Sequence, residues 1–272
     1  MKAIIDLDSK KFQVDFFKGE DVSIPLNFNG NQPNTYNVPK ANAKPYSDNN
    51  FIGDTRKGGP CNFETFNLTP HCNGTHTECI GHITEKRISI IESLKDEFVP
   101  SFLITINPDK TTENYVPNLT SEDLVISKKN LKDKLENISS TFLKALIIRT
   151  TPNDEHKKTR DYMQQPSCFF TIEAMDYIVS LGVKHLLVDM PSVDRLFDDG
   201  ILTAHNKFWE TEEKKLNNNS KHKTITEMIF VPNNILDGKY LLNLQIAPFV
   251  SDASPSRPCL LYTSDAADDH HR

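Results

Sequence analysis

Two apolar runs and the helix between them constrain the fold more than any other feature of the chain. Ala145-Leu-Ile-Ile-Arg-Thr150 and Val183-Lys-His-Leu-Leu-Val-Asp189 both have strand length and little polarity. Between them Ile172, Met175, Ile178 and Val179 recur at helical spacing over Ile172 to Leu181, and Gly182 stops that helix. Strands covered on both faces read as continuous apolar runs. Two of them joined through a helix read as a β-loop-α-β unit with both strands in one sheet, which makes the class α/β. Ligands of such sheets collect beyond the carboxyl ends of the strands, so Asp189 and the following Met190-Pro-Ser192-Val-Asp194 lie near any site.

The rest of the chain is built around that unit. Ala3 to Asp8, Lys11 to Phe16 and Val22 to Phe28 alternate as short strands, with Gly19 expected in a turn between the last two. Residues 27 to 50 are rich in asparagine and contain Pro33, Pro39 and Pro45, which makes them a loop or arm. Phe102 to Ile106 reads as a strand ended by Asn107-Pro108, and Ser121 and Ser127 are placed to cap short helices. The charged stretch from Trp209 to Lys215 reads as a solvated helix. Ile225 to Val231 and Tyr240 to Phe249 read as strands joined by a turn at Asp237-Gly238. No repeat or linker divides these elements, so residues 1 to 261 are expected to form a single domain. Residues 262 to 272 turn abruptly small and acidic and are expected to be a non-native or disordered tail.

Composition excludes several partners. The net charge is −6, and no basic block interleaves with aromatic residues, so a phosphate-tracking groove for nucleic acid is not expected. The apolar runs fall well short of the roughly 20 residues a membrane span needs. An acid at position 6 and the lack of a basic, apolar leader point to the cytoplasm. Five cysteines in 272 residues are no disulfide framework, so reduced thiols are expected, some of them available as ligands.

The densest chemistry lies between Thr69 and His82, where His71, Cys72, His76, Glu78, Cys79 and His82 crowd together. If the segment is extended, Cys72, Gly74, His76 and Glu78 share one face, because side chains repeat every two residues. A thiolate, an imidazole and a carboxylate then converge. Imidazole and thiolate suit zinc, while a carboxylate in the set also admits manganese or iron.

This segment resembles the HxGTHxDxPxH signature of the metal-dependent cyclase family, which includes bacterial kynurenine formamidase and isatin hydrolase. Gly74-Thr75-His76 and His82 match; Glu78 stands where the family has Asp. Cys72 occupies the first histidine position, with His71 one residue early, and Ile80 replaces the proline. Further along, Asp189, Ser192 and Asp194 match a GxDxxSxD segment. His205 and Glu227 fall where the family has a second histidine ligand and a bridging carboxylate, and Ser254-Pro-Ser-Arg257 is similar to the closing SPxR motif. The similarity spans roughly residues 60 to 258.

The resemblance implies a swivelling β/β/α fold, a mixed sheet or flattened barrel with outer helices. It implies one or two divalent ions per chain, zinc before manganese, held by Cys72, His76, Glu78, His205 and Glu227. His71 is the alternative to Cys72 as first ligand. His82 becomes the catalytic proton carrier, and Asp189, Ser192 and Asp194 are secondary candidates. The implied reaction is hydrolysis of an arylformamide, lactam or lactone by metal-activated water, with a small-molecule substrate and a homodimer or homotetramer. A non-catalytic metal-binding scaffold and a metal-dependent cyclase or lyase stay open as alternatives. No GxSxG elbow occurs, which argues against a serine hydrolase.

Overall fold

The computed structural model describes residues 1–265. Nine strands form one sheet in the order Lys2–Leu7, Lys10–Asp21, Ala253–Asp265, Gly238–Ile246, Phe98–Ile106, Ala145–Thr150, His185–Val188, Thr224–Glu227, His76–Cys79. The Ala253–Asp265 strand also pairs with His76–Cys79. That pairing closes seven strands into a mixed barrel and leaves the first two as an extension outside the ring. Phe98–Ile106, Ala145–Thr150, His185–Val188 and Thr224–Glu227 run parallel to one another. The fold is the α/β barrel with outer helices that the resemblance implies.

Alternation along the central strands sorts the core into two layers. Leu146, Ile148, Leu186 and Val188 face outward and are covered by Leu131 and Leu135, by Ala174, Met175 and Ile178, and by Ala204, Phe208 and Trp209. These come from the helices Lys128–Leu135, Ile172–Ser180 and Thr203–Trp209. Ala145, Ile147 and Leu187 face inward and pack with Val99, Leu103, Leu242, Leu244 and Leu260. Both faces are dry, which is why these strands carry almost no polar residues. Each helix starts or stops on a local signal: Ser127 and Thr171 accept the backbone N–H of Asn130 and Ala174, and Gly182 takes a φ of 74° after the second helix.

Several expectations are corrected. The first hairpin turns at Asp8-Ser9, where both residues are left-handed (φ 51° and 61°) and match the twist of a two-residue loop, but the turn expected at Gly19 after the second strand does not form. Gly19 lies inside the Lys10–Asp21 strand, where a β-carbon would come within 2.9 Å of Leu261 Cδ2. Val22 to Phe28 finds no strand to pair with beyond a single bridge between Ser23 and Ile229, so its alternation does not make a strand. Ser121 caps no helix. The Thr203–Trp209 helix ends where the solvated helix was expected to begin, because Trp209 is fully buried and Glu210 turns left-handed. The strands Thr224–Glu227 and Gly238–Ile246 are not sheet neighbours.

The Asn/Pro-rich arm is partly ordered by a small hairpin, in which Asn42–Pro45 pairs with Glu64–Asn67. The last strand runs past residue 262 to Asp265, pairing with Phe12 to Val14. The rest of the expected tail lies outside the described residues. Among the described residues no helix is long and apolar enough to cross a membrane.

Candidate metal centre

The site assembles at one end of the barrel. Pro70 occupies the first turn of a short helix, Pro70–Asn73, and the chain becomes extended only at His76–Cys79. The period of two therefore starts at His76, and it is His76 and Glu78 that share a face. Thr75 pins the junction: its hydroxyl accepts the Ile24 N–H at 2.7 Å and donates to the Met228 carbonyl. A 3-10 turn, Ile80–His82, then swings His82 back until Nε2 is 3.7 Å from Glu78 Oε2. Register supplies the next group, since Glu227 at the end of its strand sits opposite His76. His205 enters from the first turn of the Thr203–Trp209 helix, whose Ala204 and His205 N–H groups donate to Asp194.

Four imidazoles meet here, and each is engaged on its outer side. His205 Nδ1 lies 2.6 Å from Asp194 Oδ2, and His76 Nδ1 lies 3.1 Å from the Gly74 carbonyl. His71 Nε2 and His82 Nδ1 lie 3.0 and 3.2 Å from the same Asp252 oxygen, their rings stacked at 4.4 Å. The other nitrogen of each ring faces the two glutamates. His205 Nε2 is 2.9 Å from Glu78 Oε1 and 3.7 Å from Glu227 Oε1; His71 Nδ1 is 3.2 Å from Glu78 Oε2. His76 Nε2 is 3.4 Å from Glu227 Oε2 but lacks hydrogen-bond geometry.

That arrangement has an unbalanced electrostatic load. Burial alone would raise the Glu78 pKa, yet the charges of His82 and His205 and the His205 hydrogen bond hold it well below the usual carboxylate range. Burial opposes a charge on His205 too, and Glu78 with Asp194 outweigh it, raising its pKa well above the ordinary value. His71, partly buried but flanked by Asp252 and Glu78, is raised to about 10. Hydrogen bonds from His71 and His82 hold Asp252 far below its usual value. Protons on imidazoles thus balance the carboxylates. Even so, two buried polar atoms, His76 Nε2 and Glu78 Oε2, have no hydrogen-bond partner. Orphaned buried atoms aimed at a common point need a partner that protons do not supply.

A divalent ion fits that need. The ligand atoms of His71, His76 and Glu78 lie within 4.8 Å of one another, and so do those of Glu78, His82 and His205. The outer anchoring of each ring is what metal-binding histidines require to fix their tautomer.

Each residue singled out in the sequence has a definite place. His76, Glu78, His82, His205 and Glu227 come together, and His71 joins them. Cys72 is buried but belongs to none of the ligand groups; on the helical turn it is the neighbouring His71 that faces Glu78. Burial, then the nearby Glu227 charge, pushes the Cys72 thiol up to about 11. The extended-segment argument for Cys72 fails because residues 70 to 73 are helical. Asp194 positions His205, and Ser192 in turn accepts the Asp194 N–H at 3.1 Å. Asp189 binds elsewhere, to Lys157 Nζ at 2.7 Å and to the Thr150 N–H and hydroxyl. Arg257 of the closing motif pairs with Asp21 at the surface. Sequence reasoning missed Asp252; its signal is its place just before Ser254-Pro-Ser-Arg257.

The fold has counterparts among known structures. No curated protein matches the chain. Among solved structures, isatin hydrolase A from Labrenzia aggregata, bound to benzyl benzoate, superposes with a TM-score of 0.62 at 14% identity, covering 91% of this chain and 94% of that one. Isatin hydrolase A from Ralstonia solanacearum gives 0.57 at 11%, covering 90% and 91%. A potential metal-dependent hydrolase with cyclase activity gives 0.60 at 18%, covering 90% and 97%. At such identities the likeness is one of fold. The family profile described as "Putative cyclase" matches residues 20–195, a span that holds the Gly74-Thr75-His76 segment, His82 and Asp194, and on that match the chain belongs to the cyclase family.

Proposed function

We propose that the chain is a metal-dependent hydrolase that opens the amide bond of an arylformamide or lactam, or the ester bond of a lactone, in the manner of kynurenine formamidase. The observation that carries this reading is the inward convergence of four imidazoles and two glutamates with His76 Nε2 and Glu78 Oε2 left without a hydrogen bond. The isatin hydrolases among the structural neighbours support the reaction class.

His71, His76, Glu78, His205 and Glu227 would hold one or two divalent ions, zinc suiting the imidazole-rich donor set better than manganese. Bound there, a divalent ion lowers the pKa of a water molecule toward neutrality and polarises a carbonyl. The remaining roles belong to the chain itself. Asp252 fixes the ring of His82 through Nδ1 and leaves Nε2 facing the centre, on a side chain that is still 28% exposed and so reachable by substrate. His82 is therefore placed to pass a proton to the leaving nitrogen. Asp194 and the Val193 N–H, which donates to Glu227 Oε1 at 3.0 Å, hold His205 and Glu227 in place.

The test is elemental analysis of protein purified without added metal or chelator, followed by assay on formanilide and simple lactams. One to two equivalents of zinc or manganese with hydrolysis are expected. No metal after reconstitution, and no hydrolysis, would overturn the reading. Replacing His82 by Ala should keep the metal and lower turnover at least about a hundredfold.

A further inference from the structure

The first two strands stand outside the barrel ring, and the outer one ends the sheet. Lys2–Leu7 pairs antiparallel with Lys10–Asp21 along its whole length, and among the described residues its other edge pairs with no strand. The backbone groups of such a strand alternate between its two edges. The Phe16 N–H donates to the Met1 carbonyl at 2.9 Å, which sets the phase. Met1, Ala3, Ile5 and Leu7 direct their N–H and C=O groups at the inner neighbour, and Lys2, Ile4 and Asp6 direct theirs outward. Side chains alternate with the same period. Ala3, Ile5 and Leu7 are half-buried, and Ile5 packs with Phe16 against Val14, Leu241 and Leu261. Lys2, Ile4 and Asp6 are exposed, Ile4 at 63%.

An open edge of this kind is a template for a further strand. The charges on it decide which strand fits. Within the chain the register sets Lys2 opposite Asp15 and Asp6 opposite Lys11. Met1-Lys-Ala-Ile-Ile-Asp-Leu7 is apolar at every odd position, and Lys2 and Asp6 lie symmetrically about Ile4. The segment therefore complements itself when a second copy runs antiparallel about Ile4. Lys2 of each copy faces Asp6 of the other, Ile4 meets Ile4, and Ala3 meets Ile5. Across the four strands the outer face then reads Asp15, Lys2, Asp6, Lys11, with the sign changing at every step. No other register does this. Pairing about Lys2 or about Asp6 sets like charges opposite one another, and pairing about Ala3 or Ile5 sets a charge against Ile4.

From the open outward edge and the symmetric placement of Lys2 and Asp6, we propose that Lys2–Leu7 is a self-association surface whose partner is the same strand of a second copy of this chain. The two strands join antiparallel about Ile4 through about six backbone hydrogen bonds. They fuse two nine-stranded sheets across a two-fold axis. None of the residues that gather at the metal centre belongs to this strand, so the inference stands apart from the hydrolase reading.

Sedimentation equilibrium of the full chain tests this. The parent should associate. Ile4→Pro removes an outward N–H and no bond to the inner neighbour, so it should halve the assembly mass and leave the far-ultraviolet spectrum unchanged. Lys2→Glu and Asp6→Lys each set like charges opposite one another at both ends of the joined strands, and each should weaken association about tenfold or more. Mixed in equal amounts, the two charge variants should associate again, because each altered charge meets its opposite on the other chain. The mixture also controls for the new repulsion inside each variant, from Asp15 or from Lys11, which mixing does not relieve. A parent that stays monomeric, an Ile4→Pro variant that keeps the parent's assembly mass, or a mixture that associates no more strongly than its components would each overturn the inference.

Discussion

Two clusters of buried charge lie side by side beyond the carboxyl ends of the parallel strands, and they are built on opposite principles. For Asp189 and Lys157 themselves every demand is met. Lys157 Nζ reaches the Thr150 carbonyl and hydroxyl, Asn153 Oδ1 and Asp189 Oδ2, while Asp189 also accepts from the Thr150 N–H and hydroxyl. Around Glu78 the count of donors and acceptors is high, yet Glu78 Oε2 and His76 Nε2 have only ion-pair contacts and no hydrogen bond. A saturated network ties the Ala145–Thr150 and His185–Val188 strand ends together. The unsaturated one has the donor set to hold an ion. Charge and burial are similar in the two places, so neither alone separates structure from function; what separates them is whether the polar atoms are spent on one another.

The sharpest way to break this comparison is to neutralise one carboxylate in each cluster. Asp189→Asn leaves the Lys157 ammonium buried without its counter-charge, and that costs about 3 to 5 kcal/mol. The urea midpoint should fall sharply while metal bound per folded chain is unchanged. Glu78→Gln should do the reverse. It removes the counter-charge of His205 and His71, but those imidazoles can shed their protons where the Lys157 ammonium holds on to its own, so the metal-free midpoint moves less than in Asp189→Asn, while retained metal should drop to near zero. If Glu78→Gln keeps its metal, the distinction between the clusters is wrong.

A pH titration of metal uptake comes next in size. His71 is raised to about 10 and His205 is raised well above the ordinary histidine value, so both carry protons at neutral pH in the metal-free protein. An ion must displace them. Uptake should release close to two protons per chain, read from calorimetry in buffers of different ionisation enthalpy, and apparent affinity should rise with pH by up to about a hundredfold per unit near neutrality. Affinity independent of pH would mean that these rings do not hold the ion. Asp252→Asn should act more mildly. It loosens the outer anchor of both His71 and His82, and loss of such an anchor weakens metal binding by roughly 10- to 100-fold. The saturated cluster has no equivalent, since no ion depends on it.

Sequence reasoning reached the parts of this molecule that depend on near neighbours. Ala145–Thr150, Ile172–Ser180 and His185–Val188 were legible because each carries its own periodicity and is buried along its length. His76 and Glu78 were legible because two residues of a strand share a face. Asp252 was not, because the rings it holds lie 181 and 170 residues away along the chain, a contact made only by the closure of the barrel. The turn expected at Gly19 was illusory, because that glycine answers the close approach of Leu261 inside a longer strand rather than a change of direction.

The same distinction decides between Cys72 and His71, and here the expected effect is smallest. Read as an extended strand, the segment puts the thiol on the ligand face. Pro70 starts a helical turn instead, and one residue of helix rotates the chain by about 100°, enough to exchange the two side chains. His71 then lies between Glu78 and Asp252, at 3.2 and 3.0 Å, whereas the Cys72 thiol is buried and held neutral. Cys72→Ala should leave metal affinity within about threefold and cost roughly 1 kcal/mol through the small cavity it opens. His71→Ala should lower affinity by at least tenfold. Equal losses in the two variants, measured by competition with a chelator, would restore the thiol to the ligand set and show that the turn at Pro70 unwinds when the ion binds.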